Sequence, residues 1–122
     1  MATRHSFSKS LQCACKGFLG VLKNERNFQI EIVALLVNVF LIVFWKVSAI
    51  ESIIILLICF LVLSAELFNS AIEKFCDFVH PNHHQVIGYV KDVAAAAVLI
   101  LAFSSLVIGL IIYLPYFIEF IN

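Results

Sequence analysis

The stretch IESIIILLICFLVLSAELFNSAIEKFCDFV, residues 50–79, starts as an apolar run and then acquires carboxylates, with no Gly or Pro to break it. Between Glu51 and Glu66 it carries no charge. At a rise of about 1.5 Å per residue, its apolar part through Phe68 is long enough for a hydrocarbon core about 30 Å thick. Beyond that core AELFNSAIEKFCDFV keeps helix-forming composition, so one helix over 50–79 is expected to cross the membrane and continue past it. At about 100° per residue, Glu66, Asn69, Ser70, Glu73 and Asp77 share a stripe about 100° wide, while Leu67, Phe68, Ile72, Phe75 and Val79 lie elsewhere. The helix carries a polar face, and lipid or packing surface is left to the apolar residues.

Two further apolar runs flank this one, Phe28–Trp45 before it and Val93–Leu114 after it, the latter ending just before Pro115. The chain is therefore expected to be an all-α membrane protein with three transmembrane helices, over 28–45, 50–79 and 93–114. Its composition agrees: with 63% apolar and 13% charged residues among 122, no segment remains for a separate soluble catalytic module. A single domain over 1–122 is expected, with its chemistry at the membrane. Eight basic residues balance eight acidic ones and no basic tail occurs, which excludes a nucleic-acid-binding reading.

In residues 6–26 Phe7, Leu11, Cys15, Phe18 and Leu22 recur at steps of three or four, and Lys9, Gln12, Lys16 and Lys23 largely take other faces. That pattern predicts an N-terminal amphipathic helix on the membrane surface, with Gly17 and Gly20 weakening it. Arg4, Lys9, Lys16, Lys23 and Arg26 precede the first run, Lys46 follows it alone, and Lys74 and Lys91 flank the connection before the third. By the positive-inside rule the N-terminus faces the cytoplasm and the C-terminus lies outside. The first run begins too late and is too long for a cleaved signal peptide, so it is expected to be retained. Cys13, Cys15, Cys59 and Cys76 do not suit a disulfide framework at these positions. Cys76, His80, His83 and His84 straddle a helix end and Pro81, a poor arrangement for zinc.

Carboxylates entering a membrane are expensive unless paired, protonated or bound to a cation. One reading is an interhelical polar seam in which Glu66 and Asn69 hydrogen-bond across helices and Glu73 and Asp77 are solvated. Two other places supply ionisable groups to the same level: KNERNFQIE brings Glu25, with Glu31 further in, and YVKDVAAAAVL brings Lys91 and Asp92. One or two carboxylates with phosphate oxygens suit Mg²⁺, a lysine suits a phosphate, and a remaining carboxylate suits a hydroxyl proton. The combination fits phosphoryl transfer without a Walker A loop or kinase Gly-rich loop, neither of which occurs. The rival of another class is a small non-enzymatic membrane subunit in which Glu31, Glu66 and Asn69 form an ion path or a helix seam.

The strings NERNF, ELFNSAIEKFCD and KDVAAAAVL, in this order and spacing, resemble the bacterial membrane lipid kinases, the family of small diacylglycerol and undecaprenol kinases. The resemblance runs from about Phe7 to Pro115, and E-x-x-N-S-A-I-E-x-x-x-D is its most specific part. It implies a homotrimer of three-helix protomers in the bacterial inner membrane, with active sites near the cytoplasmic face. It implies ATP as phosphoryl donor, Mg²⁺ as cofactor and a membrane lipid as acceptor. Glu66 matches the family's catalytic base. Glu25 and Glu73 match its metal-binding carboxylates, which also face the nucleotide. Asn69, Lys91 and Asp92 match nucleotide-site positions, Lys91 balancing phosphate charge and Asp92 anchoring the nucleotide or the lysine. His84 matches a loop histidine near the nucleotide. His83 stands where many members have Tyr, Cys13 where diacylglycerol kinases tend to have Tyr, and the alanines after Asp92 replace a Gly-Ser version. With ERNF and GLIIYLP these features favour undecaprenol as substrate over diacylglycerol.

Overall fold

The computed structural model describes residues 6–122, so that Arg4, part of the charge count above, lies outside the described residues. The described chain is helical throughout: α1 (Phe7–Asn24), α2 (Arg26–Phe44), α3 (Ala49–Val79) and α4 (Gln85–Ile121). The last three are long and apolar enough to cross a membrane. Helix α3 is the centre, packed chiefly on α4 and then on α2, while α1 touches α2 and α3. Its buried face reads Ile55, Ile58, Val62, Leu63, Glu66, Asn69, Ser70 and Cys76. The apolar side toward the membrane centre thus passes into a polar side on one continuous helix.

Each junction has a local cause. Ser6 starts α1 by accepting from the Lys9 N–H at 3.4 Å, and α1 runs through Gly17 and Gly20 unbroken. Glu25 is the single extended residue between α1 and α2, and its N–H closes α1 on the Val21 carbonyl at 2.8 Å. The Gln29 amide donates back to the Leu22 and Lys23 carbonyls at 2.9 and 3.3 Å, which satisfies orphan acceptors of the α1 end and holds the elbow. Phe28 is fully buried there, with Phe18 meeting it edge to face at 5.2 Å between ring centres. Truncating a buried Phe costs about 3 kcal/mol or more. Phe28→Ala is therefore expected to lower the midpoint of a mixed-micelle denaturation curve markedly, and an unchanged curve would show that the elbow is not held by this contact.

Helix α2 ends in a Schellman motif, with the Val47 N–H on the Ile42 carbonyl at 3.0 Å and the Lys46 N–H on that of Val43 at 3.3 Å. Val47 is buried against Ile42, the apolar contact that accompanies such an end. Lys46 has φ 52°, a left-handed conformation that costs a side-chain-bearing residue about 1 kcal/mol. Lys46→Gly is expected to stabilise the hairpin by about 0.5–1 kcal/mol in the same denaturation assay. Ser48 then starts α3 by accepting from the Glu51 N–H at 3.3 Å.

Helix α4 is longer than the apolar run that marks it, beginning at Gln85 and continuing through Pro115 to Ile121. Pro inside a membrane helix is tolerated where neighbouring helices hold both sides of it. Tyr113 donates to Asn38 Oδ1 at 2.7 Å, and Tyr116 donates to Glu51 Oε2 at 2.6 Å while accepting from the Ser48 N–H at 3.2 Å. These bonds tie α4 to α2 and to the α2–α3 hairpin from either side of Pro115. Interhelical hydrogen bonds in membranes contribute about 0.6 kcal/mol on average, so Tyr113→Phe is expected to produce a small but measurable loss of stability. Trp45 packs against Tyr113, Phe117 and Phe120 at this end, an aromatic belt suited to a membrane interface.

Candidate active site

The lower half of α3 supplies the chemistry. Glu66 is 4% exposed, Asn69 one turn further is 8% exposed, and Ser70 is 3% exposed. The Asn69 amide lies beside the Glu66 carboxylate. Asn69 Oδ1 and Ser70 Oγ are buried with no hydrogen-bond partner among the described residues. An interhelical polar seam within the chain is thus not closed. Buried polar atoms left this way cost about 1–3 kcal/mol each, and they point to a ligand, water or neighbouring chain.

Two helices and the elbow between α1 and α2 bring carboxylates to Glu66. Glu73 follows two turns later on α3, Glu25 comes from the elbow, and Glu31 comes from α2; all three lie within Coulombic range of Glu66. Among the described residues, the charges that act on Glu66 are those of Glu31, Glu73 and Glu25. Like charges gathered in a low-dielectric setting demand protons or cations. Among the described residues no group of three or more His, Cys, Asp or Glu side chains is arranged to enclose a metal ion. Cys76 is buried, while His83 and His84 are exposed. Mg²⁺ of the nucleotide kind takes one or two carboxylates and completes its octahedron from phosphate and water. Glu25 and Glu73, half-buried on either side of the cluster, fit that part.

The α3–α4 connection adds the basic element. The Lys91 Nζ donates to Asp77 Oδ1 at 2.6 Å, the one ion pair among the described residues. Glu73 is also within Coulombic range of Lys91. The lysine is therefore anchored by Asp77 of α3, and Asp92, its neighbour in sequence, stands exposed. Of the two anchoring roles expected for Asp92, to the nucleotide or to the lysine, the one toward Lys91 is filled here by Asp77. His84 starts α4, its Nδ1 accepting from the Val86 N–H at 3.1 Å, which leaves Nε2 for a ligand. Sequence reasoning assigned no role to Asp77, although it closes the E-x-x-x-D spacing from Glu73. It assigned none to Glu31 within the lipid kinase reading, although a carboxylate inside an apolar run is a signal in itself.

Two cavities border the cluster. One of about 500 Å³ lies between α2, α3 and α4 and runs from Glu31 past Asn38, Cys59 and Tyr113 to Trp45 and Phe117. Apart from Ser105, the rest of its wall is apolar. The other, about 460 Å³, lies between α1 and α3 and is lined by Gly17, Gly20, Glu25, Leu67, Ser70 and Lys74. A Cβ at Gly17 or Gly20 would meet nothing within 4 Å, so these glycines leave the α1 side of that space open.

A buried carboxylate near three other acids, with a lysine bonded to Asp77 one turn beyond Glu73, is compatible with an enzyme that works on phosphate at a lipid surface. The match with known proteins agrees, because residues 12–113 fit the family model described as prokaryotic diacylglycerol kinase, and the chain belongs to that family. It is a multi-pass membrane lipid kinase, and as a kinase it takes its phosphoryl group from a nucleotide. Among its relatives, the undecaprenol kinase of Bacillus subtilis is 39% identical over 112 residues, covering 89% of each chain. The diacylglycerol kinase of Escherichia coli K12 is 36% identical over 85 residues, covering 70% of each chain. That of Haemophilus influenzae is 31% identical over 91 residues, covering 75% of this chain and 77% of its own.

Proposed function

We propose that the protein transfers the γ-phosphoryl group of ATP to the hydroxyl of a membrane lipid, with undecaprenol as the favoured acceptor and undecaprenyl phosphate as product. The observation that carries this reading is the burial of Glu66 among carboxylates, on the family's own motif. Diacylglycerol, giving phosphatidic acid, is the alternative acceptor. The undecaprenol kinase relative matches a larger share of the chain than either diacylglycerol kinase relative described above, which favours the polyprenol.

In this reading Glu66 takes the proton of the lipid hydroxyl. The hydroxyl oxygen then forms its bond to the γ-phosphorus in line with the breaking bond to the β–γ bridging oxygen, and ADP leaves with that electron pair. Glu25 and Glu73 would hold Mg²⁺, which when bound neutralises charge on the nucleotide phosphates. Asn69 orients the groups around Glu66, Lys91 balances phosphate charge, and the nucleotide is contacted by His84 Nε2 from the α3–α4 connection and by Asp92 from α4. The cavity between α1 and α3 offers an approach for the lipid head beside Glu25 and Ser70. The apolar space between α2, α3 and α4 offers room for its chain.

A homotrimer supports this chemistry. A protomer of three thin membrane helices leaves Glu25 and Glu73 half-buried and Asp92 exposed, and a neighbouring copy would cover them. In this reading the N-terminus lies in the cytoplasm and the C-terminus outside the bacterial inner membrane, with α1 on the cytoplasmic surface, an orientation that the distribution of basic residues supports. The test of substrate is competition: purified protein in mixed micelles with γ-labelled ATP and Mg²⁺, given undecaprenol and diacylglycerol together, with products separated by thin-layer chromatography. Preferential label in the polyprenol is expected. Preferential label in phosphatidic acid would move the protein to the diacylglycerol branch, and no label in either lipid would favour a non-enzymatic subunit.

A further inference from the structure

Asp77 closes the motif that begins at Glu66, yet the phosphoryl-transfer reading gives it no task. Glu73 and Asp77 are four residues apart on α3, one turn along the same face. Lys91 approaches this face from α4 and donates to Asp77 at 2.6 Å, with Glu73 within its Coulombic range. The ammonium thus has two carboxylates to choose between, and it is bonded to Asp77 rather than to Glu73, to which the metal is assigned above. A lysine bonded to Glu73 would occupy the oxygens a divalent cation needs and oppose that cation's charge.

We infer that Asp77 is a positioning residue that keeps Lys91 off Glu73, leaving the Glu73 carboxylate open to the divalent cation while holding the ammonium beside the phosphate site. The inference rests on the proposed roles of Glu73 and Lys91. Asp77 contacts neither substrate nor metal in this account; it acts through the lysine. Replacing it by Asn removes the charge that competes with Glu73, and Lys91 then turns to Glu73 as the remaining carboxylate of α3 near it. Replacing it by Glu keeps the competing charge.

The test is direct titration of Mn²⁺, followed by its electron paramagnetic resonance signal, on the folded full chain in micelles with a saturating non-hydrolysable ATP analogue. Wild type, Asp77→Asn, Asp77→Glu and Glu73→Gln are compared. Asp77→Asn is expected to weaken Mn²⁺ binding about five- to tenfold, and Asp77→Glu to stay within about twofold of wild type. In steady-state assays Asp77→Asn should raise the Mg²⁺ concentration for half-maximal rate by a similar factor, with kcat changed less. Unchanged or tighter Mn²⁺ binding in Asp77→Asn would overturn the inference, as would equal losses in Asp77→Asn and Asp77→Glu. Should Glu73→Gln itself leave Mn²⁺ binding intact, the metal role of Glu73 fails, and that outcome is told apart by the Glu73 variant alone.

Discussion

Glu66→Gln is expected to lower phosphorylation of the lipid by at least about a thousandfold while leaving the protein folded and nucleotide binding close to that of wild type. The exchange is isosteric, so the packing of α3 at a position 4% exposed is kept. It removes one of the crowded negative charges around which Glu25, Glu31 and Glu73 gather, which eases the repulsion in the cluster. What disappears is the group able to accept a proton. A stable variant that turns over slowly is therefore the signature of a base, whereas a structural carboxylate would show normal turnover or a folding defect. The measurement is a single-turnover rate alongside nucleotide binding by titration calorimetry, and retained turnover would remove Glu66 from that role.

Glu73→Gln should fail differently. Removing a ligand that meets Mg²⁺ directly is expected to weaken Mg²⁺-dependent nucleotide binding at least about tenfold, the low end of what supporting partners alone contribute at metal sites. Part of the rate should return at high Mg²⁺, since the proton acceptor is still present. The Glu66 and Glu73 variants therefore separate chemistry from metal holding although the two residues lie on one stripe of one helix. Equal nucleotide affinity for wild type and Glu73→Gln across a Mg²⁺ titration would contradict the metal role.

The helices were legible because a bilayer allows few solutions: an apolar run of sufficient length becomes a helix, and residues 28–45 and 50–79 lie within one or two residues of α2 and α3. The polar stripe was legible because its period is that of a helix, and the structure buries Glu66, Asn69 and Ser70 on it together. Less legible was the extent of α4. Hydropathy marks only its apolar middle, while its start depends on a cap from His84, and its passage through Pro115 depends on Tyr113 and Tyr116, which find partners far away in sequence. The choice of Asp77 over Asp92 as the partner of Lys91 likewise belongs to the α3–α4 packing. Adjacency in sequence places Asp92 about 100° around the helix from Lys91, so the neighbour in sequence is not the neighbour in space. Lys46 in a left-handed conformation carried no sequence signal, because glycine is the residue usually found there.

The central claim is that one buried carboxylate drives direct transfer from ATP to a lipid, and the most direct test follows the label through a single turnover. Wild-type protein in mixed micelles with undecaprenol would be mixed with Mg²⁺ and γ-labelled ATP, quenched over milliseconds to minutes, and resolved into nucleotide, protein, lipid and inorganic phosphate. The label is expected to pass from ATP to the lipid with no labelled protein at any time. Label accumulating on the protein, or released as phosphate while the lipid stays unlabelled, would contradict the account.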